Sequence, residues 1–265
     1  MDRISKAQIK LVRSLQQKKF RDTSGLFVAE GQKCIEELSN GFEPEFIVVP
    51  SGEAGLSAQR SFRQSRSLSS AVFLSASTTE IEQMSSLRTP QGSIAIFKKK
   101  GTNTQSPTNP SLTLALDGIQ DPGNLGTIIR TCDWFGVHTI ICSQDTADCY
   151  NPKVVQATMG ALARVDVRYT NLPDYLHSAS EQGCSIIGTT LDGINLYDFQ
   201  TPGSDNEIIV MGNEGNGISE AVRAELTTSV RIPTYPANKK ASDVVESLNV
   251  SIATAIILAQ LRRGS

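Results

Sequence analysis

Short apolar runs alternate with amphipathic stretches along the second half of the chain. The apolar runs predict strands and the amphipathic stretches between them predict helices. The predicted strands are 112–117, 139–142, 165–169, 184–189, 207–211 and 229–232. The predicted helices are 124–135, 152–163, 173–182, 219–226 and 247–262. This α/β alternation predicts a mostly parallel sheet with helices on both faces, where ligands bind at the carboxyl ends of the strands.

The first half predicts a smaller α/β domain. Its predicted strands are 26–29, 46–50, 72–74 and 93–97, and its predicted helices are 6–16, 32–39 and 79–84. Residues 51–70 are rich in Ser, Arg and Gly, and Arg60, Arg63 and Arg66 recur there at every third position. If this stretch is helical, the three arginines line one face.

A polar stretch separates the two halves. From Lys98 through Pro110, thirteen residues pass without a large apolar side chain. Such a composition cannot bury surface and is typical of a linker. We therefore predict a first domain over residues 1–98, a linker over 99–110 and a second domain over 111–265.

Charge is distributed unevenly between the two halves. The chain has a net charge of −2, but residues 1–100 hold 15 basic and 10 acidic residues, whereas residues 101–265 hold 10 and 17. The first 21 residues alone carry seven basic residues and one acidic residue. This asymmetry indicates either contact between the first domain and a polyanion or a solvated amphipathic helix.

The composition argues against several classes of protein. The five cysteines are odd in number and form no Cys-x-x-Cys pair, and there are only two histidines, His138 and His177. A disulfide framework, a structural zinc site or a histidine-rich metal site is therefore improbable. No apolar run reaches membrane-spanning length and the N-terminus has no apolar signal core, so we expect a cytoplasmic protein without metal or membrane partners.

A loop after the first strand of the second domain carries candidate chemistry. Asp117 opens a stretch in which Gly and Pro shape a tight turn, and Asn124 follows at a position where it could cap the next helix. Arg130 lies nearly two turns into that helix. It is either a structural ion-pair partner or a phosphate clamp, because a guanidinium binds phosphate with two parallel hydrogen bonds.

Two later segments complete the set of candidate loops. Gly212, Gly215 and Gly217 follow an apolar strand and permit close approach of backbone to a ligand, although their spacing does not match the dinucleotide motif G-x-G-x-x-G. Ser247 or Asn249 could cap the last helix, which is otherwise ordinary for a C-terminal helix.

In this order, the three segments resemble the motifs of the SpoU (TrmH) family of RNA 2′-O-methyltransferases, in the SPOUT superfamily. The resemblance covers roughly residues 111–262 and rests on Asn-Leu-Gly-x-Ile-x-Arg at 124–130, Gly-Asn-Glu-Gly-x-Gly at 212–217 and Ser-Leu-Asn-Val-Ser at 247–251. Residues 19–33 are similar, more weakly, to the RNA substrate-binding domain often fused to this family.

This resemblance implies a trefoil-knotted methyltransferase domain that forms a homodimer and transfers a methyl group from S-adenosylmethionine to a ribose 2′-hydroxyl of structured RNA. Arg130 matches the catalytic arginine and Asn124 its supporting asparagine. The matching cofactor-binding positions are Thr190, Leu191, Met211, Gly212, Asn213, Glu214, Gly217, Ile232, Leu248 and Asn249. The implied RNA contacts are Lys19, Arg21, Lys33 and Arg130.

The sequence departs from the family between Pro233 and Ser247, where residues 234–246 form a longer loop containing Lys239 and Lys240. The separate first domain favours ribosomal RNA as the substrate over transfer RNA. A non-catalytic RNA-binding or assembly protein of the same fold is the alternative, and the intact motif residues argue against it. A dehydrogenase function is disfavoured, because the glycine spacing does not match the dinucleotide motif. Whether Arg130 acts as a base or as an electrostatic anchor is open at this point.

Overall fold

The computed structural model describes residues 1–101, 112–200, 206–235 and 247–263. The chain divides into two compact units, Met1–Asn103 with Asp148–Arg164 and Thr104–Ala147 with Val165–Ser265. The segment 148–164, predicted to belong to the second domain, thus packs with the first unit. Most of the predicted linker and the loop at 236–246, with Lys239 and Lys240, lie outside the described residues, so the functional domain boundaries remain a prediction.

The first unit is built on a five-stranded mixed sheet with strand order β1-β4-β3-β5-β2. Its strands are β1 Asp2–Arg3, β2 Leu26–Glu30, β3 Pro44–Pro50, β4 Phe73–Ala76 and β5 Ile94–Lys98. Its helices, numbered along the whole chain, are α1 Lys6–Ser14, α2 Lys18–Ser24, α3 Gln32–Leu38, α4 Glu53–Gln64, α5 Thr78–Met84 and α7 Pro152–Thr158, with 3₁₀ turns at Arg66–Leu68 and Ala161–Ala163.

Local sequence explains where the helices of this unit begin and end. Capping boxes start α1 at Ser5 with Gln8 and α5 at Ser77 with Glu80, so each satisfies two otherwise unpaired donors. α2 ends at Gly25, whose φ of +67° suits a residue without a Cβ. The apolar faces of α1 and α5 pack with the sheet in a core that includes Val12, Leu15, Val28, Val48, Leu74, Ile81, Met84 and Ile96.

Two features of this unit depart from what the sequence indicated. Sequence periodicity did not predict α2, because its only buried side chain is the charged Arg21 and no apolar stripe marks the helix. The arginines 60, 63 and 66 do not share one helix face, since α4 ends at Gln64 and Ser65 has an extended backbone. Arg63 instead covers the Phe73 ring, with 5.4 Å between the guanidinium carbon and the ring centroid.

The second unit contains a six-stranded sheet of order β11-β9-β10-β6-β7-β8, in which every described pairing is parallel. The predicted mostly parallel α/β fold is therefore confirmed. The strands are β6 Leu112–Leu116, β7 Thr139–Ser143, β8 Asp166–Thr170, β9 Ser185–Asn195, β10 Glu207–Met211 and β11 Thr228–Arg231. The helices are α6 Pro122–Trp134, α8 Leu172–Glu181, α9 Glu220–Arg223 and α10 Val250–Leu261.

The helix starts in this unit matter for the site. Asp121, not Asn124, caps α6, because its carboxylate accepts the Asn124 backbone N–H at 2.8 Å and Pro122 occupies the first helical position. Asn249, one of two candidates, caps α10 through the N–H groups of Ser251 and Ile252. β9 extends six residues beyond its predicted end to Asn195, because β11 pairs with it past a register shift between Ser229 and Val230.

In the part of the chain that the structure describes, every helix falls short of the length and apolar character required to cross a bilayer.

Candidate active site

Three neighbouring strands of the second unit, β9, β10 and β6, run in parallel to the same edge of its sheet. Met211, the last residue of β10, is paired with Leu116, the last residue of β6. On the other side of β10, Val210 is paired with Gly188 of β9, and the Thr189 hydroxyl donates to the Val210 carbonyl at 2.9 Å. Since the carboxyl ends of parallel strands are the usual ligand-binding edge, the loops that follow them form the candidate site.

A chain of side-chain hydrogen bonds joins the three motif segments at this edge. The Asn249 amide donates to Asn124 Oδ1 at 2.9 Å, and the Asn124 amide donates to Glu214 Oε1 at 2.5 Å. These residues are 125 and 90 positions apart along the sequence. The fold therefore gathers one predicted catalytic residue and two predicted cofactor-binding residues into one polar cluster.

Hydrogen bonds with backbone N–H groups hold both asparagines of the cluster in place. Asn249 Oδ1 accepts the backbone N–H groups of Ser251 and Ile252, so its amide nitrogen is left pointing at Asn124. Asn124 lies in the first turn of α6, where its own N–H is held by Asp121. Side chains locked by such contacts give a site a defined geometry without further reorganisation.

The glycine segment after β10 folds into a compact loop. Asn213 and Gly217 exchange backbone hydrogen bonds of 2.9 Å, and Asn213 Oδ1 accepts the N–H groups of Gly215 and Asn216. A Cβ on Gly212 would lie 2.3 Å from the carbonyl carbon of Gly217, so only glycine permits this closure. Beside Gly217, by contrast, a Cβ would meet no atom of the described residues within 4 Å.

The remaining predicted site residues lie outside the polar cluster. Thr190 and Leu191 lie in β9 just past Thr189, and Leu191 is 82% exposed. Ile232 follows β11, and Leu248 precedes the cap of α10 with 44% of its surface exposed. Arg130 is exposed on α6, and its guanidinium makes no hydrogen bond or ion pair with any residue that the structure describes.

Sequence reasoning missed the residues that hold the glycine loop to β6. Asp117 Oδ2 accepts the Ser219 N–H at 2.7 Å, and the Gly118 carbonyl accepts the Asn213 amide at 2.7 Å. Asp117 belongs to the first motif, but no role was assigned to it. The available indication was a carboxylate placed directly at the end of an apolar strand and followed by glycine.

The predicted RNA contacts of the first unit differ in exposure. Lys19 on α2 and Lys33 on α3 are exposed. The Arg21 side chain is 2% exposed and donates to Asp148 and to the carbonyls of Leu15 and Gln16. The interpretation of Arg21 as an RNA contact is therefore corrected to a structural role, because its guanidinium is already occupied.

Comparison with known families adds to this geometry. The family model described as SpoU rRNA Methylase family matches residues 111–259, and the MRM3-like substrate binding domain matches residues 6–95. The chain belongs to the SpoU rRNA methylase family. This confirms the family predicted from the three motifs, and a substrate-binding domain of the predicted kind precedes the methylase domain.

Individual relatives agree with this membership over nearly the whole chain. The 23S rRNA (guanosine(2553)-2′-O)-methyltransferase RlmP of Bacillus subtilis is 30% identical over 265 residues, 96% of each protein. A structure titled as a putative RNA methyltransferase of the TrmH family from Porphyromonas gingivalis is 37% identical, covers 99% of both chains and superposes with a TM-score of 0.85. The AdoMet-bound rRNA methyltransferase of Sinorhizobium meliloti is 28% identical over 99% of this chain and 97% of that one, with a TM-score of 0.81.

The chain is thus an S-adenosylmethionine-dependent RNA 2′-O-methyltransferase of the SpoU family. The polar cluster and the glycine loop both lie within the residues that the SpoU model matches. The family assignment leaves the roles of the individual side chains to be tested.

Proposed function

We propose that this SpoU enzyme methylates a ribose 2′-hydroxyl of ribosomal RNA. The observation that carries the proposal is the hydrogen-bonded series Asn249–Asn124–Glu214, which unites all three motifs at the carboxyl edge of the sheet. The name of the Bacillus subtilis relative, a 23S rRNA 2′-O-methyltransferase that aligns along nearly the whole chain, favours ribosomal over transfer RNA.

The loops at this edge suit S-adenosylmethionine. The N–H groups of Gly215, Asn216 and Gly217 are already used within the loop, so the exposed Gly215 and Asn216 offer their backbone carbonyls to a ligand. A Cβ on Gly217 would meet no described atom within 4 Å, which leaves space beside the loop in the described part of the chain. The exposed apolar side chains of Leu191 and Leu248 supply surface that a purine ring can cover. When bound, the cofactor supplies a methyl group already activated by its sulfonium, so the proposal requires no metal.

Arg130 is proposed to act on the acceptor. A ribose hydroxyl is a weak acid that must be held in line with the methyl group. The oxygen–carbon bond would form as the carbon–sulfur bond of S-adenosylmethionine breaks, S-adenosylhomocysteine would leave, and the hydroxyl proton would pass to water. A guanidinium is normally protonated, so Arg130 serves best by stabilising the developing alkoxide or anchoring the adjacent phosphate. The exposure of Arg130 and its lack of a protein partner among the described residues leave all its donors available for this. Asn124 keeps Glu214 and the start of α6 in place.

The first unit is proposed to bind RNA through Lys19 and Lys33. Lys18 and Lys99 both donate hydrogen bonds to Asp22. These two bonds, of which the one from Lys18 has the larger effect, lower the pKa of Asp22 to about 2. Lys19 is therefore the lysine of α2 that is left without an acidic partner among the described residues. Exposed lysines of this kind contribute to RNA affinity through the phosphate backbone.

Three further features follow from family membership and remain proposals. The chain forms a homodimer through its second domain, its C-terminal region is knotted as a trefoil, and it works in the cytoplasm.

The decisive experiment measures transfer of labelled methyl from S-adenosylmethionine to ribosomal RNA and transfer RNA prepared from a strain lacking the gene. We expect incorporation into ribosomal RNA and its mapping to one ribose 2′-oxygen. Arg130→Ala is expected to reduce kcat by about 10²-fold or more, as for removal of a donor to a developing oxyanion. Arg130→Lys keeps the charge but loses the planar fork, and is expected to recover only part of the activity.

Arg164→Ala serves as the control, because this exposed arginine of the first unit is paired with Glu37 on the surface. Labelling of transfer RNA alone would reject ribosomal RNA as the substrate. Cofactor and RNA binding without turnover in either RNA would support the non-catalytic alternative.

A further inference from the structure

Asp117 has a buried carboxylate at the centre of the candidate site. It directly follows β6, is only 8% exposed, and its backbone N–H donates to the Met211 carbonyl at 2.9 Å. Its side chain accepts the backbone N–H of Ser219 at 2.7 Å, across 102 residues of sequence. A buried carboxylate is costly unless hydrogen bonds compensate it, so this contact is a specific feature of the fold.

The two ends of the glycine loop are held by adjacent residues. Asp117 holds Ser219, where the loop enters α9, while the neighbouring Gly118 carbonyl accepts the amide of Asn213, where the loop leaves β10. Gly118 has a φ of +69°, and its own N–H donates to Ser143 Oγ at 2.8 Å. The dipeptide 117–118 is therefore itself anchored to β7.

We propose that Asp117 is a positioning residue for S-adenosylmethionine, which acts by fixing the shape of the loop 212–219. The proposal rests on the proposed function, since it assumes that this loop holds the cofactor. Without the Asp117 bond, the Ser219 end of the loop is free to move while Asn213 still holds the other end. The backbone groups that contact the cofactor then lose part of their preorganisation, and the loss is expressed in cofactor affinity.

The test removes this single hydrogen bond from either side. Asp117→Ala removes the acceptor, whereas Asp117→Asn keeps an oxygen that can accept the same N–H. Ser219→Pro removes the donor, and the Ser219 φ of −61° is the value that proline requires. Ser219→Ala is its matched control, because it loses the hydroxyl that caps α9 but keeps the N–H.

S-adenosylmethionine binding is measured by calorimetry, and steady-state kinetics are measured with ribosomal RNA. We expect Asp117→Ala and Ser219→Pro to raise the Kd and KM for S-adenosylmethionine roughly ten- to hundredfold, as for loss of a hydrogen bond to a charged group. The kcat at saturating cofactor and the KM for RNA are expected to change less than about threefold. Asp117→Asn and Ser219→Ala are expected to stay near wild type.

A double variant separates this role from general destabilisation. If Asp117 and Ser219 act through one bond, Asp117→Ala combined with Ser219→Pro weakens binding no more than either alone. Additive losses, or a loss of kcat and thermal stability with unchanged cofactor KM, would overturn the proposal. If Ser219→Pro fails to fold, comparison of Asp117→Ala with Asp117→Asn decides by the same criteria.

The proposed function fails in a different way. A wild-type protein that binds no S-adenosylmethionine would contradict the cofactor assignment itself. A wild type that binds it, with an equally tight Asp117→Ala variant, would contradict only the positioning role.

Discussion

Arg21 is held in the interior of the first unit by four hydrogen bonds. Two go to the Asp148 carboxylate, which is itself largely buried, and two go to the carbonyls of Leu15 and Gln16. Removing one partner of a buried ion pair leaves the other charge without compensation, which costs much more than loss of a surface pair. Arg21 thus ties α2 and the end of α1 to the segment that begins at Asp148.

We predict that Arg21→Ala lowers the free energy of unfolding by about 3–5 kcal/mol, the usual effect of breaking a buried pair. Lys19→Ala, the exposed neighbour on the same helix, is expected to change it by less than about 0.5 kcal/mol. Urea denaturation measures both. Equal stability of the two variants would contradict the structural role of Arg21.

For RNA binding, we expect the reverse: substitution of Lys19 changes the salt dependence of the affinity, and substitution of Arg21 does not. If Lys19 contacts phosphate, Lys19→Ala reduces the slope of log affinity against log salt concentration by roughly 0.7–0.9, the value of one released counterion. Folded Arg21→Lys protein is expected to keep the wild-type slope, because position 21 has no access to RNA. A reduced slope for this variant would restore Arg21 as an RNA contact.

At the scale of elements, α10 and α6 are linked at their N-termini by one side chain with two tasks. Asn249 caps α10 with its oxygen and donates to Asn124 with its nitrogen. At the other end of the same pair, Arg262 donates to the carbonyls of Phe135 and Gly136 just after α6. The helices are thus tied at both ends, and only the N-terminal tie reaches the site.

Asn249→Asp should separate the two tasks. An aspartate keeps the capping oxygen and suits a helix N-terminus, so the free energy of unfolding is expected to stay within about 0.5 kcal/mol of wild type. It has no amide to donate to Asn124, and we expect kcat/KM for methyl transfer to fall roughly ten- to hundredfold. Asn249→Ala, the comparison variant, loses both tasks and about 1 kcal/mol of stability. Full activity in Asn249→Asp would show that the link to Asn124 has no part in catalysis.

The elements themselves were largely predictable because each has a local pattern. The apolar strands at 112–116 and 207–211 and the parallel arrangement followed from alternation of strands and helices. α2 could not be predicted in this way, since its buried residue is an arginine whose partner lies 127 residues away. The cap of α6 was misassigned by three residues, because both Asp121 and Asn124 are good caps and only the backbone geometry distinguishes them.

The residues of the candidate site could be predicted from the sequence, but the hydrogen bonds between them could not. The motifs identified Asn124, Glu214 and Asn249, while their mutual hydrogen bonds depend on the fold. Asp117 and Ser219 were missed for the same reason, since a contact between a carboxylate and a backbone N–H leaves no trace in residue type at the donor. The exposure of a charged side chain could not be predicted from the sequence either, since Arg21 was predicted to contact RNA but is buried.

At the scale of the whole molecule, the second unit exposes apolar side chains on the two helices that pack together. Trp134 on α6 is 84% exposed, and Ile252 in the first turn of α10 is 53% exposed. Large exposed apolar groups are typical of interaction surfaces, and tryptophan is the residue most often found at their energetic centre. These side chains make the α6 and α10 pair the surface through which we expect the proposed homodimer to form.

Trp134 is the only tryptophan of the chain, so its fluorescence reports directly on this surface. We predict a concentration-dependent dimer in sedimentation velocity. As the protein is diluted, the emission maximum of Trp134 is expected to shift to the longer wavelength of a tryptophan exposed to water. Trp134→Glu is expected to raise the dimer dissociation constant by at least about tenfold, because it places a charge in a desolvated centre. Tyr197→Glu changes another exposed aromatic residue of the same unit and should leave the dimer intact. A wild-type protein that is monomeric at all concentrations, with the Trp134 emission of a solvent-exposed tryptophan throughout, would refute the dimer. A Trp134→Glu dimer as tight as the wild-type dimer would place the interface on another surface of the molecule.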